Sequence, residues 1–240
     1  MDSSFARLIG ALAAPVKTFR SIAERPTWLV AFLVVMLSPL LPGILAVPKI
    51  DWEEVAKTNL EKMDIQVPQE QFDKQVEAME KFGPVMTYSA PAFMAIGLLL
   101  YALTFWGAFT LAGGEAGFKR ALAVVSHAML PMVVGALLSV PVIVRTQTIN
   151  SEQLQTGSYL KSNLAAFAPA DANVALLSLL SKIDVFSIWS LVLLAIGFRF
   201  AAKVSPRTAT ITVLLLWLVW VGVTVGFASL GMIFGGGRHG

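Results

Sequence analysis

The chain has 240 residues, of which 56% are hydrophobic, 14% are charged and none is cysteine, and its net charge is +3. Because a soluble domain carries about 25% charged residues, this composition predicts a polytopic membrane protein, and the small net charge gives no support to nucleic-acid binding. The absence of cysteine excludes disulfides, thiolate metal sites and cysteine catalysis.

Residues 1–25 interleave apolar and basic side chains at helical spacing. This pattern is typical of an amphipathic helix in the headgroup layer, so we predict an interfacial N-terminal helix. A signal peptide is the competing interpretation. It is disfavoured because Asp2 and Arg7 do not make a positive n-region and because a full-length apolar span follows.

Residues 28–47 form the first predicted transmembrane helix. They are uncharged over 20 residues, and a helix of that length reaches about 30 Å, the thickness of the hydrocarbon core. Pro39 and Pro42 should kink or end this helix early, because proline cannot donate a backbone hydrogen bond.

Residues 48–84 carry most of the acidic side chains of the first half of the chain. Asp51 and Glu54 have the spacing of a capping box, and Pro68 fits the start of a second helix. We therefore predict an external helical hairpin. Its carboxylates are interpreted as a solvated face, because the loop suggests no enclosed site for acid–base chemistry.

Residues 85–112 and 121–144 are the second and third predicted spans, and a turn containing Gly113, Gly114 and Gly117 joins them. No predicted strand precedes these glycines and no Walker pattern accompanies them. A turn is therefore favoured over a phosphate-binding loop.

His127 and Pro131 lie four residues apart in the third span. Since proline lacks an N–H, the carbonyl of His127 loses its helical partner, which places a polar side chain beside a free carbonyl. Two roles stay open for His127, an ionisable group of a functional site or a hydrogen bond to a neighbouring helix. Metal binding has weak support, because the second histidine, His239, lies in a glycine-rich tail.

Residues 145–182 are polar and predict a second external loop with a short interfacial helix, and residues 183–202 predict the fourth span. In that span 14 uncharged residues separate Asp184 from Arg199. They make about 21 Å of helix, which is less than the hydrocarbon core. Arg199 can snorkel to the headgroups, whereas Asp184 either caps the helix or serves a polar path.

The fourth span has two contrasting faces. Small residues permit close backbone approach, so we expect the face with Gly197 to pack against the bundle and the bulky face to contact lipid. The first face comprises Ser187, Ser190, Leu194, Gly197 and Ala201, and the second comprises Phe186, Trp189, Leu193, Ile196 and Phe200.

Residues 208–234 form the fifth predicted span, in which Gly222 and Gly226 make a small-xxx-small pair that Ser229 extends. This pattern predicts a helix-packing seam, either within the protein or between copies. The predicted fold is therefore all-α, a polytopic membrane helical bundle with five transmembrane helices.

Basic residues concentrate before the first span, between the second and third, and between the fourth and fifth, whereas the acids occupy the long loops. The positive-inside rule then places the N-terminus in the cytoplasm and the C-terminus outside.

Three stretches of the chain resemble the prokaryotic branch of the Yip1 domain family: PVKTFRSIAERPTW, GGEAGFKRALAVVSHAMLP and DVFSIWSLVLLAIGF. The resemblance implies a single Yip1-like domain over residues 1–240, with five helices and a cytoplasmic N-terminus, in a prokaryotic plasma membrane. Eukaryotic relatives bind Rab-type GTPases through a long N-terminal domain and an Asp-Leu-Tyr-Gly-Pro motif. Only Asp184-Val185-Phe186 faintly echoes that motif here, so the GTPase role is not transferred.

No nucleophile–base pair, metal cluster or phosphate loop is recognisable in the sequence. We therefore predict a non-enzymatic scaffold or membrane-organising protein that needs no cofactor and binds lipids, protein partners or further copies of itself. The alternative is a small transporter or channel that uses Asp184 and His127, with Arg199 as a third candidate polar position. An enzyme acting on lipids ranks below both.

Overall fold

The computed structural model describes residues 3–62, 66–156, 159–169 and 174–235. These residues form α-helices joined by short loops and two 3₁₀ helices, at Val47–Lys49 and Leu164–Phe167, without a β-strand among them. The all-α prediction is confirmed. The α-helices are α1 (Ser4–Ala13), α2 (Pro15–Glu24), α3 (Leu29–Leu37), α4 (Leu40–Ala46), α5 (Trp52–Lys62), α6 (Gln69–Leu111), α7 (Phe118–Ala128), α8 (Leu130–Arg145), α9 (Ser151–Thr156), α10 (Val174–Ser181), α11 (Val185–Ala201) and α12 (Pro206–Gly235).

Four helical segments of the described chain are long and apolar enough to cross a bilayer: Leu29–Lys49, Gln69–Leu111, Phe118–Arg145 and Pro206–Gly226. They coincide with the first, second, third and fifth predicted spans. The fourth prediction falls on α11, an apolar helix of 17 residues. At about 25 Å, α11 is shorter than the hydrocarbon core, so the count of five spans stays a prediction.

Two prolines, Pro39 and Pro131, lie at breaks in the apolar segments. The first segment divides into α3 and α4 at Ser38 and Pro39, which confirms the expected early break. Pro42 is tolerated because it lies in the first turn of α4, where helical N–H groups have no intrahelical partner. The third segment divides at Met129, two residues before Pro131.

Residues 1–25 do not form one helix as predicted, because the chain turns at Ala14 between α1 and α2. Pro15 occupies the first position of α2, where its fixed φ suits a new helix and its missing N–H has no cost. The predicted division between a hairpin helix and the second span is also absent. One helix, α6, runs for 43 residues through Pro84 and Pro91.

The chain divides into two compact units, which are described separately. The first comprises Met1–Pro39, Pro91–Leu137 and Val185–Trp220, and the second comprises Leu40–Ala90, Leu138–Asp184 and Val221–Gly240.

The core of the first unit is aromatic. The Phe198 ring stacks on Phe105 and Phe109 with centroids 5.1 and 4.4 Å apart, and all three side chains are fully buried.

The second unit links the two predicted loops to each other. Lys49 Nζ donates to the carbonyls of Ile143, Val144 and Thr146 at 2.7–2.8 Å, which satisfies the end of α8. Half of the predicted capping box forms, because the Glu54 N–H bonds Asp51 Oδ1. The Glu54 carboxylate, however, accepts the N–H of Ser151 at 2.7 Å, so it joins α5 to α9.

Candidate functional site

Gly197 lies where α11 packs against α2 and α7. A Cβ on this residue would stand 2.5 Å from Val124 Cγ1 and 2.9 Å from Phe19 Cδ1, both inside normal contact distance. The helices therefore approach each other as closely as they do only because position 197 has no side chain. This contact holds the N-terminal helix α2 against the membrane-type helix α11.

The contact also overturns one prediction about the faces of α11. Ser190, Leu194, Gly197 and Ala201 of the small-residue face are buried as expected. The bulky face does not form the exposed surface: Leu193 is 1% exposed, and Phe186 lies against Gly135. The most exposed side chains are Val185, Ile188, Val192 and Arg199.

Two arginines converge on Phe200 at the end of α11. The guanidinium carbons of Arg20 and Arg199 lie 5.2 and 5.3 Å from the centroid of this one ring. Lys17 is exposed one turn before Arg20, and both line an open depression of about 430 Å³ with Pro15. In the described part of the chain neither arginine forms an ion pair. This arrangement brings two positive charges to one ring, and neither is held in an ion pair within the described residues.

Unlike the two arginines, Lys203 in the neighbouring turn forms an ion pair, with Glu115. Glu115 Oε2 lies 2.6 Å from Lys203 Nζ, and the hydrogen bond and charge of Lys203 lower the pKa of Glu115. The backbone of Glu115 donates to the carbonyl of Ala202 at 2.9 Å. Gly113 has φ +79°, the left-handed conformation that glycine adopts at a helix end. The glycine stretch therefore builds a turn that joins α6 to the end of α11.

His127 lies on α7 and is 2% exposed. Its Nδ1 is 2.8 Å from the carbonyl of Ala123, one turn earlier on the same helix. A carbonyl only accepts, so Nδ1 carries the proton of this bond, and in the neutral imidazole Nε2 is then an acceptor. The residue also lines a cavity of about 360 Å³ with Ser4, Trp28 and Lys119.

Asp184 directly precedes the first residue of α11, at the N-cap position. Its carboxylate accepts a short hydrogen bond from Ser162 Oγ, and its backbone pairs with that of Asn163. Asp184 belongs to the second unit, whereas His127 belongs to the first. Asp184 and His127 thus each form a hydrogen bond within their own unit.

Gly222 and Gly226 have no contact that would explain their spacing. A Cβ added at either position would meet nothing within 4 Å among the described residues, and Gly222 is exposed. The side chain of Ser229 lies outside the described residues. The seam is not used by the described part of this chain.

Arg7 is the residue that sequence reasoning missed, because it was treated as one of several surface cations. It is 6% exposed, and its guanidinium donates to Arg25 O at 2.7 Å, Thr27 Oγ1 at 2.8 Å and Ser21 Oγ at 2.9 Å. These bonds tie α1 to the end of α2 and the start of α3. A lone arginine within the apolar helix SFARLIGALA was the available signal.

Helices of this length and hydropathy, with backbone groups satisfied within each helix, define an integral membrane protein of the helical-bundle class. In the described residues no group of three or more metal-binding side chains is brought together.

The chain belongs to the Yip1 domain family, whose model matches residues 9–228. It is similar to the membrane protein YknW of Bacillus subtilis (strain 168), with 26% identity over 218 residues that cover 89% of this chain and 86% of the relative. No solved structure matches the chain. The family resemblance noted in the sequence is confirmed.

Proposed function

We propose that the protein is a non-enzymatic membrane-organising protein that binds anionic lipid headgroups at the cytoplasmic surface through α2 and the end of α11. The observation that carries the proposal is the convergence of Arg20 and Arg199 on the Phe200 ring. Two guanidinium groups at one ring carry like charge, and an anionic phosphate is attracted to both and accepts hydrogen bonds from guanidinium groups.

The surroundings of the arginine pair suit a membrane surface. Phe5 and Ile9 of α1 are about 70% exposed, and Val16 of α2 is 48% exposed. Apolar side chains of short helices enter the boundary between headgroups and acyl chains, while neighbouring cations stay at the phosphates. Lys17 adds a third charge on the same side of α2 as Arg20.

The orientation of the chain is part of this proposal. Under the positive-inside rule, the N-terminal helices and the turns around Glu115 and Lys203 face the cytoplasm, and the loops around α5 and α9 face outward. Anionic lipid is abundant at a cytoplasmic leaflet, which matches the position of the arginine pair.

Further copies of the chain are the proposed protein partner. The unpacked glycines of α12, Gly222 and Gly226, suit helix–helix contact in a bilayer, because small residues let two backbones approach closely. Crosslinking at position 222 would test the proposed self-association separately from lipid binding.

The transporter alternative has weaker support. Asp184 bonds Ser162, and His127 bonds its own helix, so both polar groups have partners without a transported substrate. A liposome flux assay separates the two functions. Flux that is lost in Asp184→Asn and His127→Ala variants would favour transport over membrane organisation.

The lipid-binding proposal is tested by native mass spectrometry of the protein purified from membranes containing phosphatidylglycerol. Each arginine near a membrane surface contributes about 1 kcal/mol, a factor of roughly five in affinity. The double variant Arg20→Gln and Arg199→Gln should therefore bind phosphatidylglycerol about 25-fold more weakly than the unmodified protein.

Arg145→Gln is the matched control, since Arg145 is an exposed arginine in the last turn of α8. It should retain lipid as the unmodified protein does. Equal retention by the double variant and the control would contradict the proposed site, and preferential retention of neutral lipid would contradict its chemistry.

A further inference from the structure

The first unit contains a second cavity, of about 260 Å³, which is independent of the arginine pair. Residues from α6, α8, α11 and α12 line it, together with Met129 at the junction of α7 and α8. Its floor includes the buried residues Leu98, Ser190 and Leu194, and its rim includes the exposed residues Gly97, Met132 and Trp220. Three of these helices, α6, α8 and α12, belong to segments long and apolar enough to cross a bilayer, so we expect the rim to open toward lipid.

Ser190 makes this cavity chemically unusual. It is 3% exposed, and its Oγ has no hydrogen-bond partner among the residues that the structure describes. A buried hydroxyl on a helix normally donates to the carbonyl four residues earlier, as Ser126 does to Leu122 at 2.8 Å. Ser190 lines the cavity without that bond, so its hydroxyl is available to a ligand.

The remaining lining suits a flat ring more than an alkyl chain. Tyr101, Trp217 and Trp220 contribute aromatic faces and edges, and Met94, Met129 and Met132 contribute polarisable sulfur. Aromatic rings stack on other rings, and methionine sulfur packs favourably against ring edges. An apolar cavity of about 150 Å³ can hold a benzene ring, so this one has room for a ring with substituents.

Depth in the membrane selects the kind of polar atom. Ser190 is the sixth residue of α11, so it lies about 8 Å along the helix from its start. Ester carbonyls and phosphates of bilayer lipids stay near the headgroups, whereas a ring carbonyl of a wholly membrane-soluble molecule can enter the hydrocarbon core. The hydroxyl of Ser190 can donate to such a carbonyl.

We propose that the cavity binds the ring of a membrane-soluble quinone, with one ring carbonyl accepting a hydrogen bond from Ser190 Oγ and the ring held among the aromatic and methionine side chains. The site is a binding site, and no electron transfer is assigned to it. The proposal does not depend on the function proposed above, because the two sites share no lining residue.

The test measures how much of a short-chain quinone co-elutes with the full chain in detergent as free quinone is increased. Saturable binding is expected. Ser190→Ala should weaken it roughly five-fold, the effect of one neutral hydrogen bond. Ser126→Ala is the matched control, since that hydroxyl is buried but already bonded within its helix, and it should bind as the unmodified protein does.

A second pair of variants tests the cavity without relying on Ser190. A Cβ at Gly97 meets nothing within 4 Å, so the position has room for a side chain, and Gly97→Leu should place one at the mouth of the cavity. It should abolish saturable binding. Gly107→Leu is its control on the same helix, because position 107 is equally open and does not line the cavity.

Four results would overturn the assignment. These are the absence of saturable binding, binding unchanged in Gly97→Leu, binding unchanged in Ser190→Ala, and displacement of the quinone by hexadecane at equal concentration. The last result would identify the occupant as an acyl chain.

Discussion

Gly197→Ala is expected to destabilise the protein, although alanine is the better helix former. The added Cβ would lie 2.5 Å from Val124 Cγ1 and 2.9 Å from Phe19 Cδ1. Carbon atoms pack at about 3.5–4.0 Å, so α2 and α7 must each move by up to about 1 Å. Both neighbours are fully buried and cannot rotate into open space.

The magnitude follows from two opposing effects. Overpacking a buried contact costs about 1–3 kcal/mol, and replacing glycine by alanine in a helix returns about 1 kcal/mol. The expected net loss in the free energy of unfolding is therefore up to about 2 kcal/mol. The assay is unfolding of the purified protein by a denaturing detergent, followed by circular dichroism.

A double-mutant cycle identifies the cause. Val124→Ala removes the nearest clashing atom, so Gly197→Ala should cost at least about 1 kcal/mol less in the Val124→Ala background. Gly107→Ala is the control, because a Cβ there meets nothing within 4 Å, and it should be neutral or stabilising. Gly197→Ala behaving like Gly107→Ala would refute the packing argument.

Three further predictions concern hydrogen bonds and charge. Arg7→Met should lower the free energy of unfolding by about 3 kcal/mol, since three acceptors lose a charged donor. A loss no larger than that of Lys17→Met in the same unfolding assay would contradict this prediction. Lys49→Met uncovers three carbonyls at the end of α8 and should cost about 2 kcal/mol, and faster amide exchange in that turn would locate the effect. Lys203 lowers the pKa of Glu115 in the folded protein. The ion pair therefore stabilises the fold at a pH above 4.5, the ordinary pKa of the carboxyl group, and this stabilisation is lost as the pH falls through the lower pKa of the folded state. Lys203→Met should remove that pH dependence from the thermal unfolding midpoint, and an unchanged dependence would assign it to another carboxyl.

Predictions that depend on one stretch of chain agree well with the structure. The apolar segments, the break near Pro39 and the turn at Gly113 follow from hydropathy, from the missing proline N–H and from the conformational freedom of glycine. The continuous helix α6 was missed for a related reason. A proline weakens a helix locally, but the bonds on either side can carry the helix past Pro84 and Pro91.

Predictions that depend on neighbours agree less well. The exposed face of α11 was assigned from side-chain size, yet Phe186 of the bulky face lies against Gly135 of α8, Leu193 is buried, and Val192 and Ile188 are exposed. Arg7 looked like any other basic residue of an interfacial helix, and its partners Ser21 and Thr27 are 14 and 20 residues away. Helical period alone does not show which helix will pack against which face.

The amino-acid sequence by itself determined that this is an all-helical membrane protein of the Yip1 domain family, because hydropathy, helical period and proline position are properties of each segment alone. The tertiary structure decided which polar groups are satisfied and which are not. In it, His127 bonds to its own helix, Arg20 and Arg199 meet at one ring, and the Ser190 hydroxyl lies beside a cavity with no hydrogen-bond partner in the described part of the chain. The reason is physical: hydrogen bonds and close packing require atoms within about 3–4 Å, and only the folded chain brings distant residues that close.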